Sequence, residues 1–221
     1  MKVMVRAVAA GLGLALAPPA MAQVAIDLKV GYGLPTGNVW AASPWNPPWS
    51  MSNAWTGSIP IELGARYRIT PALSVGAYFG WGPAFVASTG FDAIAGSSGS
   101  DLRVGIQLAY AFSPDGAMSP WFSLGTGWEW TSYSGTKGGQ SASVTVDGWE
   151  YLNVQTGLDF RVAKAFTVGP YLGFIAGPYS SIAASGASNT GLGANDGGSI
   201  DPAARCFHGW FQLGVKGTLD L

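Results

Sequence analysis

Eight short segments in which apolar residues alternate with small or polar ones, joined in turn by tight connections and long loops, constrain this chain more than any other feature. In the fourth, Leu102, Val104, Ile106, Leu108, Tyr110 and Phe112 interleave with Arg103, Gly105, Gln107, Ala109 and Ala111. Side chains of a strand point alternately to its two faces, so such a segment has an oily side and a side that tolerates charge. A soluble sandwich hides the oily face and shows Lys, Glu and Thr to water. Here the polar face is rich in Gly and Ala with few, scattered ions, which fits lipid outside and a narrow polar interior: an all-β, closed, eight-stranded antiparallel up-and-down transmembrane β-barrel.

The segments are expected at 24–33, 59–69, 73–86, 101–112, 120–130, 146–162, 166–176 and 206–219. Connections after the second, fourth and sixth are short; those after the first, third, fifth and seventh are longer and rich in Gly, Ser, Asn and Pro. That alternation places both chain termini and the tight turns on one side of the membrane and the long loops on the other. Strand parity survives when written out. Ile61, Leu63, Ala65, Tyr67 and Ile69 alternate with Glu62, Gly64, Arg66 and Arg68, and Phe207, Phe211, Leu213, Val215 and Leu219 oppose His208, Trp210, Gln212, Lys216 and Asp220. Glu150 alone breaks the rule, with outward parity. A charge facing lipid at the bilayer midplane costs about 2–4 kcal/mol, so it is expected above the membrane or at a bulge.

Composition agrees. Only 10% of residues are charged, with 33 Gly and 10 Trp among 221, whereas a soluble domain carries roughly 25% charge. Residues 1–22, with Lys2, Arg6, an apolar run to Ala17 and the small-residue site Ala20-Met21-Ala22, read as a secretory signal peptide. Residues 23–221 are then one barrel domain. No later stretch approaches the roughly 18 apolar residues of a membrane helix. Two of the eleven basic residues lie in the signal, leaving nine against twelve acidic and a formal charge of −3. With no basic stripe, nucleic acid is excluded as a partner. Cys206 is the only cysteine, so no disulfide within the chain is possible.

Aromatic residues gather at both strand ends, with Tyr67, Tyr110, Phe112, Phe122, Phe160 and Phe166 on the turn side and Tyr32, Trp81, Phe85, Trp128, Trp130 and Phe207 on the loop side. Two such girdles mark two membrane interfaces. With these features the mature chain resembles the eight-stranded outer-membrane β-barrel proteins of diderm bacteria, the class that includes the OmpA-type transmembrane domain and OmpW-like barrels. Its closing segment, Phe211 to Leu221, is similar to the signal by which such barrels are recognised for insertion, with Leu221 where Phe is usual. The resemblance implies an outer-membrane location, contact with outer-membrane lipid and lipopolysaccharide, and handling by the barrel-insertion machinery.

Inward-facing charges nearly balance. Asp27, Lys29, Glu62, Arg66, Arg68, Arg103, Glu129, Asp159, Arg161 and Lys216 are expected to form a lumen network, with Asp220 beside them, because buried charges persist only when paired. Two pairs are expected to be close: Arg103 with Glu129, and Asp27 with Lys216. His208 is the only histidine, which leaves catalytic and metal schemes without parts. No enzyme activity, cofactor or metal is expected. Asn195, Asp196 and Asp201 suit a flexible loop better than a calcium site, and Gly191-Leu192-Gly193 opens no helix that could cradle phosphate.

The first long loop is distinctive. Trp40, Trp45, Trp49 and Trp55 are interleaved with Pro44, Pro47 and Pro48, which argue against additional strands there. The tryptophans are candidates for packing into a cap or at lipid headgroups, for binding a glycan or protein ligand, or for lining a route for a small apolar ligand. The function expected is a non-enzymatic integral barrel with an envelope-structural or surface-interaction role. The alternative is an OmpW-like channel for small apolar molecules.

Overall fold

The computed structural model describes residues 23–41, 49–87, 95–137, 140–186 and 196–221. Residues 1–22 (expected to be a signal peptide), Trp45, the three loop prolines, Asn195 and the Gly191-Leu192-Gly193 stretch lie outside them. In chain order the elements are β1 (Val24–Trp40), β2 (Trp49–Ser50), α1 (Met51–Ala54), β3 (Trp55–Ser58), β4 (Ile61–Arg68), β5 (Leu73–Val86), β6 (Ala95–Ala111), β7 (Met118–Lys137), β8 (Gln140–Ala163), β9 (Phe166–Gly186), β10 (Asp196–Ser199) and β11 (Phe207–Asp220).

Antiparallel pairing runs around a ring: β1 with β4, β4 with β5, onward to β9, then β9 with β11 and β11 back to β1. Eight wall strands close the sheet. The second of them is β3 and β4 in series, broken at Ile59 and Pro60. Proline has no N–H to donate, so the ladder passes the break through carbonyls and neighbouring amides: Gly31 N–H donates to Pro60 O at 3.1 Å and Ile59 N–H to Pro83 O at 3.0 Å. Closure carries the backbone pairing around the whole ring and leaves the wall without an open edge, which hydrocarbon demands.

The outer belt follows parity. Leu28, Val30, Leu34, Leu63, Phe79, Val104, Ile106, Leu108, Leu124, Leu213 and Val215 are all exposed on the wall, while Asp27, Lys29, Glu62, Arg103, Gln107, Gln155 and Lys216 are buried inside it. Large lumen side chains fit because small ones face them. An added Cβ at Gly105 or Gly127 would stand 2.3 or 2.6 Å from the Tyr78 hydroxyl.

Two expectations change, and for Glu150 the bulge is the one of its two expected placements that is found. The wall strands reach further on the loop side than apolar alternation suggests: β7 continues to Lys137 and β8 begins at Gln140, so the long fifth connection is a β-ribbon. Its Ser, Thr and Gly content resembles a loop, yet alternation persists, with Val144 and Val146 buried and Ser143 and Thr145 half-exposed. The first loop also contains β-structure, since β1 runs to Trp40, β2 pairs with it and β3 extends the wall. Pro44, Pro47 and Pro48 constrain only their own stretch and leave the flanking residues free to pair. Glu150, finally, points inward. Register passes from Gly125↔Asn153 to Gly127↔Glu150, so Tyr151 and Leu152 together oppose Thr126 and both face out. This β-bulge inverts the parity beyond it. Thr126 Oγ1 donates to Glu150 O at 2.7 Å and accepts from Trp149 Nε1 at 2.9 Å, pinning the extra residue.

Candidate functional site

The lumen is the chemically dense part of the molecule. At its turn-side end, Arg66 grips Asp27 through Nε and through Nη2 (2.7 Å to Oδ1), and donates from Nη1 to Ser74 Oγ at 3.0 Å. Thr218 Oγ1 donates to Asp27 Oδ1 at 2.7 Å. Arg68 pairs with Asp220, and Lys216 with Asp159 at 2.8 Å. Lys216 Nζ also lies 3.7 Å from the centre of the Trp121 ring, so one ammonium is held by a carboxylate and a π-face.

Above this layer Lys29 bridges the barrel. Its Nζ donates to Glu62 Oε1 at 2.6 Å and to Gln155 Oε1 at 2.5 Å, and Gln155 Nε2 donates to Asn153 Oδ1 at 2.9 Å. The loop-side layer is acidic. Asp101, Glu129 and Glu150 surround Arg103, which contacts Asp101 and lies 3.7 Å from Glu129 and 3.9 Å from Glu150. Glu129 is met from the other side by His208 Nε2 at 2.9 Å and Trp210 Nε1 at 2.9 Å. Tyr78 donates to Glu150 Oε1, and the His208 ring stacks on Tyr179, 3.5 Å between centres and 8° between planes. Three carboxylates thus share one guanidinium and one imidazole.

An apolar cap lies over this layer. Val39, Met51, Ala54, Trp55, Ala84, Val144, Val146, Tyr179 and Trp210 form one buried cluster, against which Ile182, Ala184 and Ile200 pack. Ser50 places α1 by accepting from Ser52 N–H at 3.2 Å, so that Met51 and Ala54 turn inward. Trp210 and Tyr179 belong to cap and charge cluster alike, each with an apolar body in one and a polar tip in the other.

The structure brings Arg103 and Glu129 together. Asp27 and Lys216 form no direct ion pair: Asp27 takes Arg66 and Lys216 takes Asp159, because Lys216 stands opposite Lys29 in register and leans toward β8. Arg161 is the outlier of the expected network. It is exposed at the rim, donating from Nη2 to Pro114 O at 2.6 Å, since β8 ends two residues later and its side chain has no wall around it. Asp101 and Glu150 were not in the expected set. Asp101 has the parity of Arg103, a signal present in the sequence; Glu150 is hidden behind the bulge.

Of the four loop tryptophans, Trp55 is 2% exposed and is cap core, which removes it as a surface-binding candidate. Trp40 pairs with Trp49 through the backbone. Asp201 Oδ1 accepts from Ala203 N–H at 2.9 Å as the cap of a 3₁₀ turn, which accounts for one of the loop carboxylates. Among the described residues no group of His, Cys, Asp and Glu could hold a metal ion.

No family model and no curated protein matches this chain. Among solved structures it is similar to the outer membrane protein OprG from Pseudomonas aeruginosa, at 12% identity and a TM-score of 0.54, covering 91% of this chain and 98% of that one. Outer membrane protein AlkL gives 14% identity and a TM-score of 0.48, covering 100% of this chain and 98% of that one. Neisserial surface protein A gives 14% and 0.46, covering 89% and 99%. At these identities the OprG likeness shows the fold alone: this chain has the fold of the bacterial outer-membrane β-barrels.

Proposed function

We propose that this protein is a non-enzymatic integral barrel of the bacterial outer membrane with an envelope-structural or surface-interaction role, its lumen closed. One observation carries the reading: the loop-side section of the lumen is filled by side chains reaching in from different strands, with Glu129 and Trp210 at 2% and 0% exposure beneath a packed apolar cap. A barrel of eight strands has an interior just wide enough for such filling. The apolar belt sits in lipid, with lipopolysaccharide around the loop-side girdle and insertion left to the barrel-assembly machinery. The ribbon of β7 and β8 stands beyond the belt, where a glycan or protein ligand would meet it. His208, the sole histidine, is spent on Glu129 and Tyr179, which supports a structural over a catalytic role for it. Planar-bilayer recording on heat-modifiable, folded protein tests the closed lumen. Conductance is expected to stay at baseline. Regular single-channel steps, or uptake of a small apolar solute into protein-loaded vesicles above the protein-free rate, overturn the reading and favour an OmpW-like channel.

A further inference from the structure

Beyond the loop-side girdle the wall continues as a sheet of β6, β7, β8 and β9 whose inner face is buried, with Val144 and Val146 in the cap. Its outer face is laid out in registered rows. The highest runs Ser98, Ser134, Ser143, Ser185 and the next Ser100, Ser132, Thr145, Ala183. Seven of these eight side chains carry a hydroxyl and none a charge, whereas a surface that meets only water is roughly 25–35% charged. The hydroxyls pair laterally: Ser98 with Ser134 at 3.0 Å, Ser132 with Thr145 at 3.1 Å and Ser143 with Ser185 at 2.7 Å. Each pair uses one of its two hydrogens and keeps the other, with lone pairs, for a ligand.

The row at the foot of this face supplies two further groups. Trp130 and Asp147 are cross-strand partners, so their side chains stand side by side on the outer surface. Trp130 is half-buried and braced by Trp128, 6.3 Å between ring centres, which in turn meets Trp149 edge to face at 5.8 Å. Asp147 is half-exposed; its Oδ1 accepts from Ser181 Oγ, while Oδ2 has no partner among the described residues. An indole plane beside a free carboxylate oxygen and a field of hydroxyls suits a sugar ring, whose C–H face packs on the aromatic ring while its hydroxyls meet donors and acceptors.

Other partners fit less well. Protein interfaces are depleted in Ser at their centres and rich in Tyr, Trp and Arg. A phosphate, sulfate or carboxylate would find no Lys or Arg in the three rows and one carboxylate against it. The face also looks sideways: Leu102 and Val104 follow Ser100 on the same side of β6 and lead into the lipid-facing belt. Its neighbours are therefore molecules anchored in the same leaflet. We propose that this face binds an uncharged sugar carried by a lipid of the surrounding leaflet. Trp130 lies under the ring, Asp147 Oδ2 accepts from its hydroxyls, and the Ser132 and Thr145 pair meets the next sugar outward. A ligand class is thereby given to the surface-interaction role proposed above, on which the assignment rests.

Solution NMR on the folded barrel in dodecylphosphocholine micelles, titrated with dodecyl glucoside, tests this. The Trp130 indole N–H and the Thr145 methyl are expected to shift saturably and to show nuclear Overhauser contacts to sugar protons, and the indole of buried Trp210 to show neither. Dodecyl glucuronide, with a carboxylate on the same ring and chain, should bind roughly tenfold more weakly, since like charges meet at Asp147. Asp147→Asn should raise the apparent dissociation constant by roughly tenfold and Thr145→Val by roughly threefold, each losing one hydrogen bond of different strength. Heat-modifiable migration checks that both variants fold. Free glucose at the same concentration should shift neither signal, because the lipid chain supplies the local concentration. Equal affinity for free glucose, equal or tighter binding of the glucuronide, contacts confined to the acyl chain, or binding unchanged in both variants overturns the proposal. Such a result alongside baseline conductance leaves the closed barrel standing, so the two readings fail separately.

Discussion

Tyr78 on β5 donates a hydrogen bond of 2.5 Å to Glu150 on β8 across the lumen, and Glu150 is there only because a bulge turns it inward. Two backbone features, the Gly105 and Gly127 hollow for the phenol and the extra residue opposite Thr126, serve this one contact. Tyr78→Phe keeps the ring and leaves Glu150 Oε1 unpaired. Stability should fall by about 1–3 kcal/mol, the cost of a buried acceptor losing its donor. Urea unfolding of the barrel in lipid vesicles, followed by tryptophan emission, measures it; adding Glu150→Gln should recover part of the loss, since the pair is coupled.

The belt predicts a positional contrast. Ile106 is 63% exposed on the outer wall at mid-height, whereas Ser134 lies on the β7 ribbon beyond the girdle. Ile106→Lys should cost about 2–4 kcal/mol of folding free energy into vesicles and Ser134→Lys about 0–1 kcal/mol. Equal costs would place water, and not hydrocarbon, against Ile106.

Much of this architecture was legible because parity is a local property of strands. From the alternation of Leu102 to Phe112 alone one reads which residues face lipid, and the side chains of Val104, Ile106 and Leu108 do so. What parity cannot carry is a change of phase. One extra residue at Tyr151 and Leu152 reverses the faces of everything beyond it, so Glu150 read as outward; the only warning was the energetic cost of leaving it there. Partner choice inside the lumen was equally unreadable. Asp27 and Lys216 lie on adjacent strands, but pairing depends on register and on side-chain lean, and Arg66 reaches Asp27 in a two-pronged geometry that an ammonium cannot match. The cap was illegible for a different reason: Val39, Met51, Trp55, Val144 and Val146 come from separate outer segments and form a core only once the ring brings them together.

Glu129 is the keystone of the acidic layer, touched by His208, Trp210 and Arg103. Glu129→Ala removes the hydrogen-bond partner of His208, Trp210 and Thr131 and one of the carboxylates that balance buried Arg103. A loss of about 3–5 kcal/mol is expected, as for other broken buried pairs, seen as a lower temperature for the heat-modifiable gel shift. The apolar cluster above is untouched by this change, so on the proposed closed-lumen reading conductance should remain at baseline despite the loss. A new conductance step in this variant would assign closure to the ion pairs rather than to the cap.

The tryptophans divide into two optical classes. Trp81 and Trp149 are 47% and 45% exposed on the outer wall near the loop-side girdle, whereas Trp55 and Trp210 are 2% and 0% exposed in the cap. Indoles at a membrane interface contact lipid directly, and packed ones do not. In variants retaining one of these four and replacing the other nine tryptophans by phenylalanine, lipids brominated near the headgroup should quench Trp81 and Trp149 strongly and Trp55 and Trp210 weakly. Soluble acrylamide should reach neither cap residue. The cap pair also responds differently to unfolding: its emission should shift to longer wavelength only in the cooperative transition, because both rings are buried in one packed apolar cluster. Lipid quenching of Trp55 equal to that of Trp81 would mean that the cap is open to the bilayer and would return Trp55 to the surface-binding candidates.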